Sequence, residues 1–131
     1  HYQHDISQLV LLSTPSGLSD MMYRYFDILS LTYKMMPHLN KLFLDQYDIQ
    51  PDHFSTASHL SDCTLNGIII HDQTDDITPY PESLEVNDQW ANGVHIPTSG
   101  LGHSLKDNRI IKAICDYISD GVVPNSVGVN T

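Results

Sequence analysis

Three strand-like runs, Leu9-Val10-Leu11-Leu12, Ile68-Ile69-Ile70 and Val94-His95-Ile96, are separated by stretches with helical periodicity. No other feature constrains the chain as much. A short run with apolar residues at consecutive positions fits a strand covered on both faces. Alternation of such strands with helices implies parallel pairing through crossovers. The expected fold class is α/β, with three parallel strands and flanking helices. Three strands do not easily bury both faces of a sheet, so Leu9-Val10-Leu11-Leu12 presents an open edge or needs a neighbour from elsewhere.

The intervening stretches are amphipathic. After Ser13-Thr14-Pro15-Ser16-Gly17, Ser19 or Asp20 is suited to cap a helix whose Met22, Tyr25, Phe26 and Leu29 form one apolar stripe. A second helix is expected over about residues 32–47, with Met35, Leu39, Leu42 and Phe43 inward and Pro37 in its first turn or at a kink. A short third helix opens at Pro51-Asp52 and runs through Phe54, Ala57 and Leu60. Pro79 and Pro81 precede a helix through Leu84, Val86 and Trp90, which Asn92-Gly93 breaks. Pro97 ends the third strand or places it at an edge. Asp107 is a suitable cap for a last helix with Ile110, Ile111, Ile114, Cys115 and Ile118 inward. Residues 121–131 lack periodicity and are expected to form a mobile tail.

The formal net charge is −10, with six Lys+Arg against 16 Asp+Glu. That balance speaks against nucleic acid and anionic membrane as partners, because both need clustered cations. No apolar run approaches the length that crosses a bilayer. Cys63 and Cys115 have neither CxxC nor CxxH spacing and are expected to stay reduced, as in a cytoplasmic chain. The first residue is His1 and no signal-peptide pattern follows, so the chain reads as a piece of a larger one.

In an open parallel sheet, ligands bind beyond the carboxyl ends of the strands. Two loops with ionisable residues start there. One is His71-Asp72-Gln73-Thr74-Asp75-Asp76-Ile77-Thr78-Pro79, the other Ser99-Gly100-Leu101-Gly102-His103-Ser104. Taken singly, an Asp pair in a loop is usually a solvated turn, and a His after Gly is usually just exposed. Metal binding is the rival chemistry, because His71, Asp72, Asp75, Asp76, His95 and His103 are all possible ligands. No H-E-x-x-H or Cys-rich spacing organises them. The Asp72 loop also fails as an EF-hand, with Ile77 at its sixth position and Ser83 at its twelfth. No metal or other cofactor is therefore expected. The Met21-Met22 and Met35-Met36 pairs suit core or cap packing, and methionine can also line an adaptable acyl pocket.

Together the two loops resemble the α/β-hydrolase family. Its last strands commonly carry an apolar run, then His-Gly-x-x-Asp-x-x-Val-Pro, then Gly-x-Gly-His. Here these stand as Ile70-His71-Asp72-Gln73-Thr74-Asp75-Asp76-Ile77-Thr78-Pro79 and Gly100-Leu101-Gly102-His103. The resemblance covers about residues 9–118. It departs at Asp72 for Gly, Thr78 for Val, and Asn66-Gly67 where Pro often precedes the strand. It implies that Asp75 is the acid and His103 the base of a Ser-Asp-His triad, 28 residues apart. Asp76 is the neighbouring candidate, and Asp72 is expected to be structural. Residues 1–120 would then be the C-terminal portion of one hydrolase domain, with a helical cap insert over about 18–60.

In such a triad the carboxylate orients the imidazole, the imidazole takes the serine proton, and the serine attacks a carbonyl carbon. The family's serine sits in G-x-S-x-G and precedes the acid in the chain. No G-x-S-x-G occurs here. Ser16 lacks the first Gly, and Ser99 and Ser104 read as loop residues. The resemblance thus implies a C-terminal fragment of a serine hydrolase for an ester, thioester or related acyl substrate, inactive alone. Its implied partners are a small acyl substrate and the missing N-terminal segment of the same domain. The alternative is a non-enzymatic remnant or a partner-binding half-domain.

Overall fold

Parallel pairing joins the three strands in chain order. The computed structural model describes residues 6–125. β1 (Gln8–Leu12), β2 (Asn66–Asp72) and β3 (Gly93–Thr98) form one sheet in the order β1-β2-β3. Val10 sits beside Ile68 and Ile68 beside Val94, so all three carboxyl ends lie on one side. The α/β class and the parallel pairing of three strands agree with expectation. β3 is longer than its three-residue core, since Pro97 pairs with His71 and Thr98 with Asp72. Pro97 is accommodated because, among the described residues, no strand pairs with the outer side of β3.

The remaining elements are α1 (Leu18–Ile28), α2 (Met36–Tyr47), α3 (Thr56–Leu60), α4 (Tyr80–Gln89) and α5 (Asn108–Asp120). Single 3-10 turns, Tyr33–Met35 and Pro51–His53, precede α2 and α3. β2 is the centre of the core. Ile68 and Ile70 face α5, packing with Ile96, Ile110, Ala113 and Tyr117. Ile69 faces the other way, onto Ala57 and Leu60 of α3 and Val86 and Trp90 of the α4 region. Full burial of each isoleucine contributes about 1.5–3 kcal/mol. Trp90 lies flat against the strand starts, where a Cβ on Gly67 would come within 1.9 Å of its ring. Only glycine leaves room for that approach. The segment from α1 to α3 has a core of its own, Met22, Phe26 and Met36, flanked by Leu18, Leu39 and Phe43.

Several inward assignments differ from expectation. α1 starts at Leu18 with Gly17 as its cap, so neither Ser19 nor Asp20 caps it. Ser19 donates instead to Asp52, and Asp20 accepts from Ser16. Tyr25 and Leu29 are exposed, because Met22 and Phe26 are the residues this helix turns into its apolar cluster. At the start of α2, Met36 is buried and Pro37 sits in the first turn, while Met35 just before the helix and Leu42 within it are exposed. The third expected helix splits at Phe54 and Ser55 into a 3-10 turn and α3. Asp107 does cap α5, accepting from Arg109 N at 2.7 Å. Ile111, Cys115 and Ile118, however, are exposed, and Ala113 and Tyr117 take the inner positions beside Ile110. α5 has apolar residues on two faces, and the sheet can cover only one. Of the tail, Gly121 ends α5 with a left-handed backbone, and residues 126–131 lie outside the described residues.

Candidate active site

β2 and β3 both run out at the same end of the sheet, and the two loops that follow them meet there. Asp72, the last residue of β2, holds them together. Its Oδ1 accepts from Thr74 N (2.9 Å), Thr74 Oγ1 (2.5 Å) and Gly100 N (3.2 Å). Its Oδ2 accepts from Thr98 Oγ1 (2.7 Å) and Leu101 N (3.0 Å). Gly100 presents its amide from a backbone with φ +83°, a conformation open to glycine without strain. Burial pushes the Asp72 carboxyl up, but the Thr74, Leu101 and Thr98 donors outweigh it and hold the group far below the usual carboxylate range. An acceptor with this many donors is an anchor between loops, as the structural role expected for Asp72 requires.

The Asp72 anchor places Asp75. The Asp75 side chain is wholly buried. Oδ1 accepts from Ile77 N and Thr78 N, both at 2.9 Å, which closes the turn and fixes the carboxylate plane. Oδ2 is thereby aimed at the second loop, where His103 Nδ1 lies 3.0 Å away. Burial again pushes the Asp75 carboxyl up, and the Thr78 and Ile77 amides with His103 more than offset it, so the group stays below its ordinary value. Asp76 is exposed and has no role in this pair.

His103 is held from a third direction as well. The Ser13 hydroxyl, just past β1, donates to the His103 carbonyl oxygen at 2.9 Å. Ser13 N also bonds Ile70 O at 3.1 Å, and the residue takes φ +46° to do so. All three strand ends thus hold this one residue, and Asp75 orients its imidazole. With Nδ1–H given to Asp75, Nε2 is the basic nitrogen. The ring keeps 43% of its surface and borders a cavity of about 270 Å³.

His71, a possible metal ligand and the first residue of the Asp75 loop motif by sequence, completes the arrangement. It is fully buried at the end of β2. Its Nε2 lies 2.9 Å from Thr78 O and 3.2 Å from Asp75 Oδ2. Asp75 therefore sits between two imidazoles, one buried and one open. The four-residue spacing of His71 and Asp75 was the signal, but in a loop such spacing fixes no geometry. His95 goes elsewhere: its Nε2 is 2.9 Å from Ser83 Oγ, and burial, with His71 nearby, pushes its pKa down. Among the described residues, no three His, Cys, Asp or Glu side chains converge in a way that could hold a metal ion.

Two serines near the site are engaged elsewhere. Ser16 Oγ donates to Asp20 Oδ2 at 3.3 Å. Ser13 is committed to the His103 carbonyl. Among the described residues, no serine hydroxyl is hydrogen-bonded to His103 Nε2. Cys63 and Cys115 are free thiols. No described helix is long and apolar enough to cross a membrane. No family model, curated protein or solved structure matches the chain.

Proposed function

We propose that this chain is the C-terminal part of an α/β-hydrolase-type serine hydrolase acting on an ester, thioester or related acyl substrate. Asp75 is the triad acid and His103 its base. One observation carries the reading: the 3.0 Å contact of Asp75 Oδ2 with His103 Nδ1 at the carboxyl ends of parallel strands. The Asp75 carboxylate orients the imidazole and stabilises the cation that forms when Nε2 takes a serine proton. The α1–α3 segment is the cap over the site. The nucleophile and the oxyanion-hole donors come from residues outside this chain, on an N-terminal segment of the same domain. The site is a cytoplasmic one for a small substrate.

The test is a serine-directed fluorophosphonate applied to the 131-residue chain and to a longer protein with an upstream G-x-S-x-G. Only the longer protein is expected to label and to release alcohol from a chromogenic ester, and His103→Ala should suppress both. Rapid labelling of the short chain would place the nucleophile at a serine such as Ser16 or Ser104 and refute the fragment reading.

The outer edge of β1 favours a second reading, a non-enzymatic half-domain that binds a partner there. Among the described residues, no strand pairs with the outer side of β1, and Leu12 on it is exposed. An inert longer protein that nonetheless contains G-x-S-x-G would move this reading ahead.

A further inference from the structure

The cavity beside His103 has a mostly apolar wall. Met21, Tyr25 and Ile28 contribute it from α1, and Ile77 from the Asp75 loop. Its volume, about 270 Å³, lies just below the range of sites for drug-sized ligands, which starts at roughly 300 Å³. A small acyl group fits such a space.

One cation stands in this wall, Arg24. Alone it would attract a carboxylate-bearing acyl group. It is not alone. Its Nη1 forms an ion pair with Glu82 Oε1, from α4. Both side chains are largely buried, 24% and 12% exposed. The other Glu82 oxygen accepts from Ser16 N at 3.0 Å, which fixes the carboxylate in place. The charge at the cavity is thus cancelled by a residue from a different layer of the fold. A second anion entering there would face Glu82 as well as Arg24 and would shed its own hydration.

We propose that this cavity selects small, uncharged, apolar acyl groups, and that Glu82 sets the selectivity by neutralising Arg24 in its wall. The inference rests on the hydrolase reading for the direction of the ligand's carbonyl, toward His103. Glu82 touches no reacting atom; it acts through Arg24.

The four methionines allow a direct test on the 131-residue chain with carbon-labelled methionine methyl groups, read by NMR. Met21 lines this cavity, Met22 and Met36 lie in the buried cluster, and Met35 lines a separate apolar cleft with Leu31 and Leu42. Methyl pentyl ketone supplies a carbonyl and a short chain without charge. Hexanoate has nearly the same shape with a charge. The ketone is expected to shift the Met21 methyl and His103 ring resonances saturably, and hexanoate to bind roughly tenfold more weakly. Glu82→Gln keeps an oxygen for Ser16 N and removes the charge, so hexanoate binding should tighten by roughly tenfold. Adding Arg24→Met should abolish that gain. Equal binding of the two ligands, no gain in Glu82→Gln, or shifts at Met35 in place of Met21 would overturn the proposal. If Glu82→Gln does not fold, Arg24→Met alone decides: it leaves Glu82 unopposed and should weaken hexanoate further, so tighter hexanoate binding refutes the idea.

The inference and the hydrolase reading fail separately. Selective ketone binding in a protein that never acylates supports the selectivity and sinks the hydrolase. An active hydrolase that prefers carboxylate-bearing acyl esters overturns the selectivity alone.

Discussion

Asp75 Oδ2 and His103 Nδ1 lie 3.0 Å apart although 28 residues separate them in the chain. Neither side chain reaches the other by local folding. The contact exists because β2 and β3 pair in parallel through Asp72 and Thr98, which starts both loops from adjacent points. The buried Asp72 carboxylate then ties the second loop to the first. Four predictions follow from this construction and from the packing beneath it.

In the longer protein, Asp75→Asn should lower kcat by about ten-thousand-fold with little change in KM, because the amide favours the wrong imidazole tautomer. Asp76→Asn should stay within roughly twofold, since Asp76 is exposed and unengaged. Steady-state hydrolysis of a chromogenic ester separates them. Equal losses in both variants would contradict the assignment of the acid.

Asp72→Ala should destabilise the fold by about 3–5 kcal/mol, because it strands buried donors from both loops at once. Urea unfolding followed by fluorescence of Trp90, the single tryptophan, gives the number. A loss under about 1 kcal/mol would mean that the donors find water and that Asp72 is not the anchor.

Acid should unfold the chain through the same carboxylates. Asp72 and Asp75 both have folded-state pKa values held below the ordinary value. Below about pH 3.9, where the unfolded carboxyls take up protons, the native state resists protonation. Their stabilisation is therefore fully present above that pH and is lost as pH falls toward the folded values. Urea midpoints measured downward from about pH 5 should decline, and Asp72→Asn should flatten part of the decline. An equally steep profile in Asp72→Asn would show that other groups control acid stability.

Gly67→Ala should cost about 1–3 kcal/mol, since the added methyl meets the Trp90 ring and the Leu9 carbonyl. A shifted Trp90 emission in the native baseline would accompany the loss. A neutral substitution would show that Trp90 can move away from the strand start.

Much of this was legible locally. Consecutive apolar residues marked the strands, because a strand covered on both faces must be apolar at successive positions. The spacing of Asp75 and His103 allowed one helix and one strand between them, and the parallel fold did the rest. Asp107 was recognisable as a cap because capping is a property of a few adjacent residues.

What the sequence alone determined, then, is the order of the strands and main helices and the two loops that hold ionisable residues at the strand ends. Only the tertiary structure decided which face of each helix turns inward. α5 is apolar at both Ile110 and Ile111, and periodicity ranks them equally until the sheet covers one. It also decided that Met21, not Met22, lines the cavity, and that Glu82 neutralises Arg24 from 58 residues away. The Ser13 hydroxyl on the His103 carbonyl spans 90 residues. The physical reason is common to all of these. Secondary structure follows from backbone preferences over a few residues, whereas the partner of a side chain depends on which distant segments the buried sheet brings beside it.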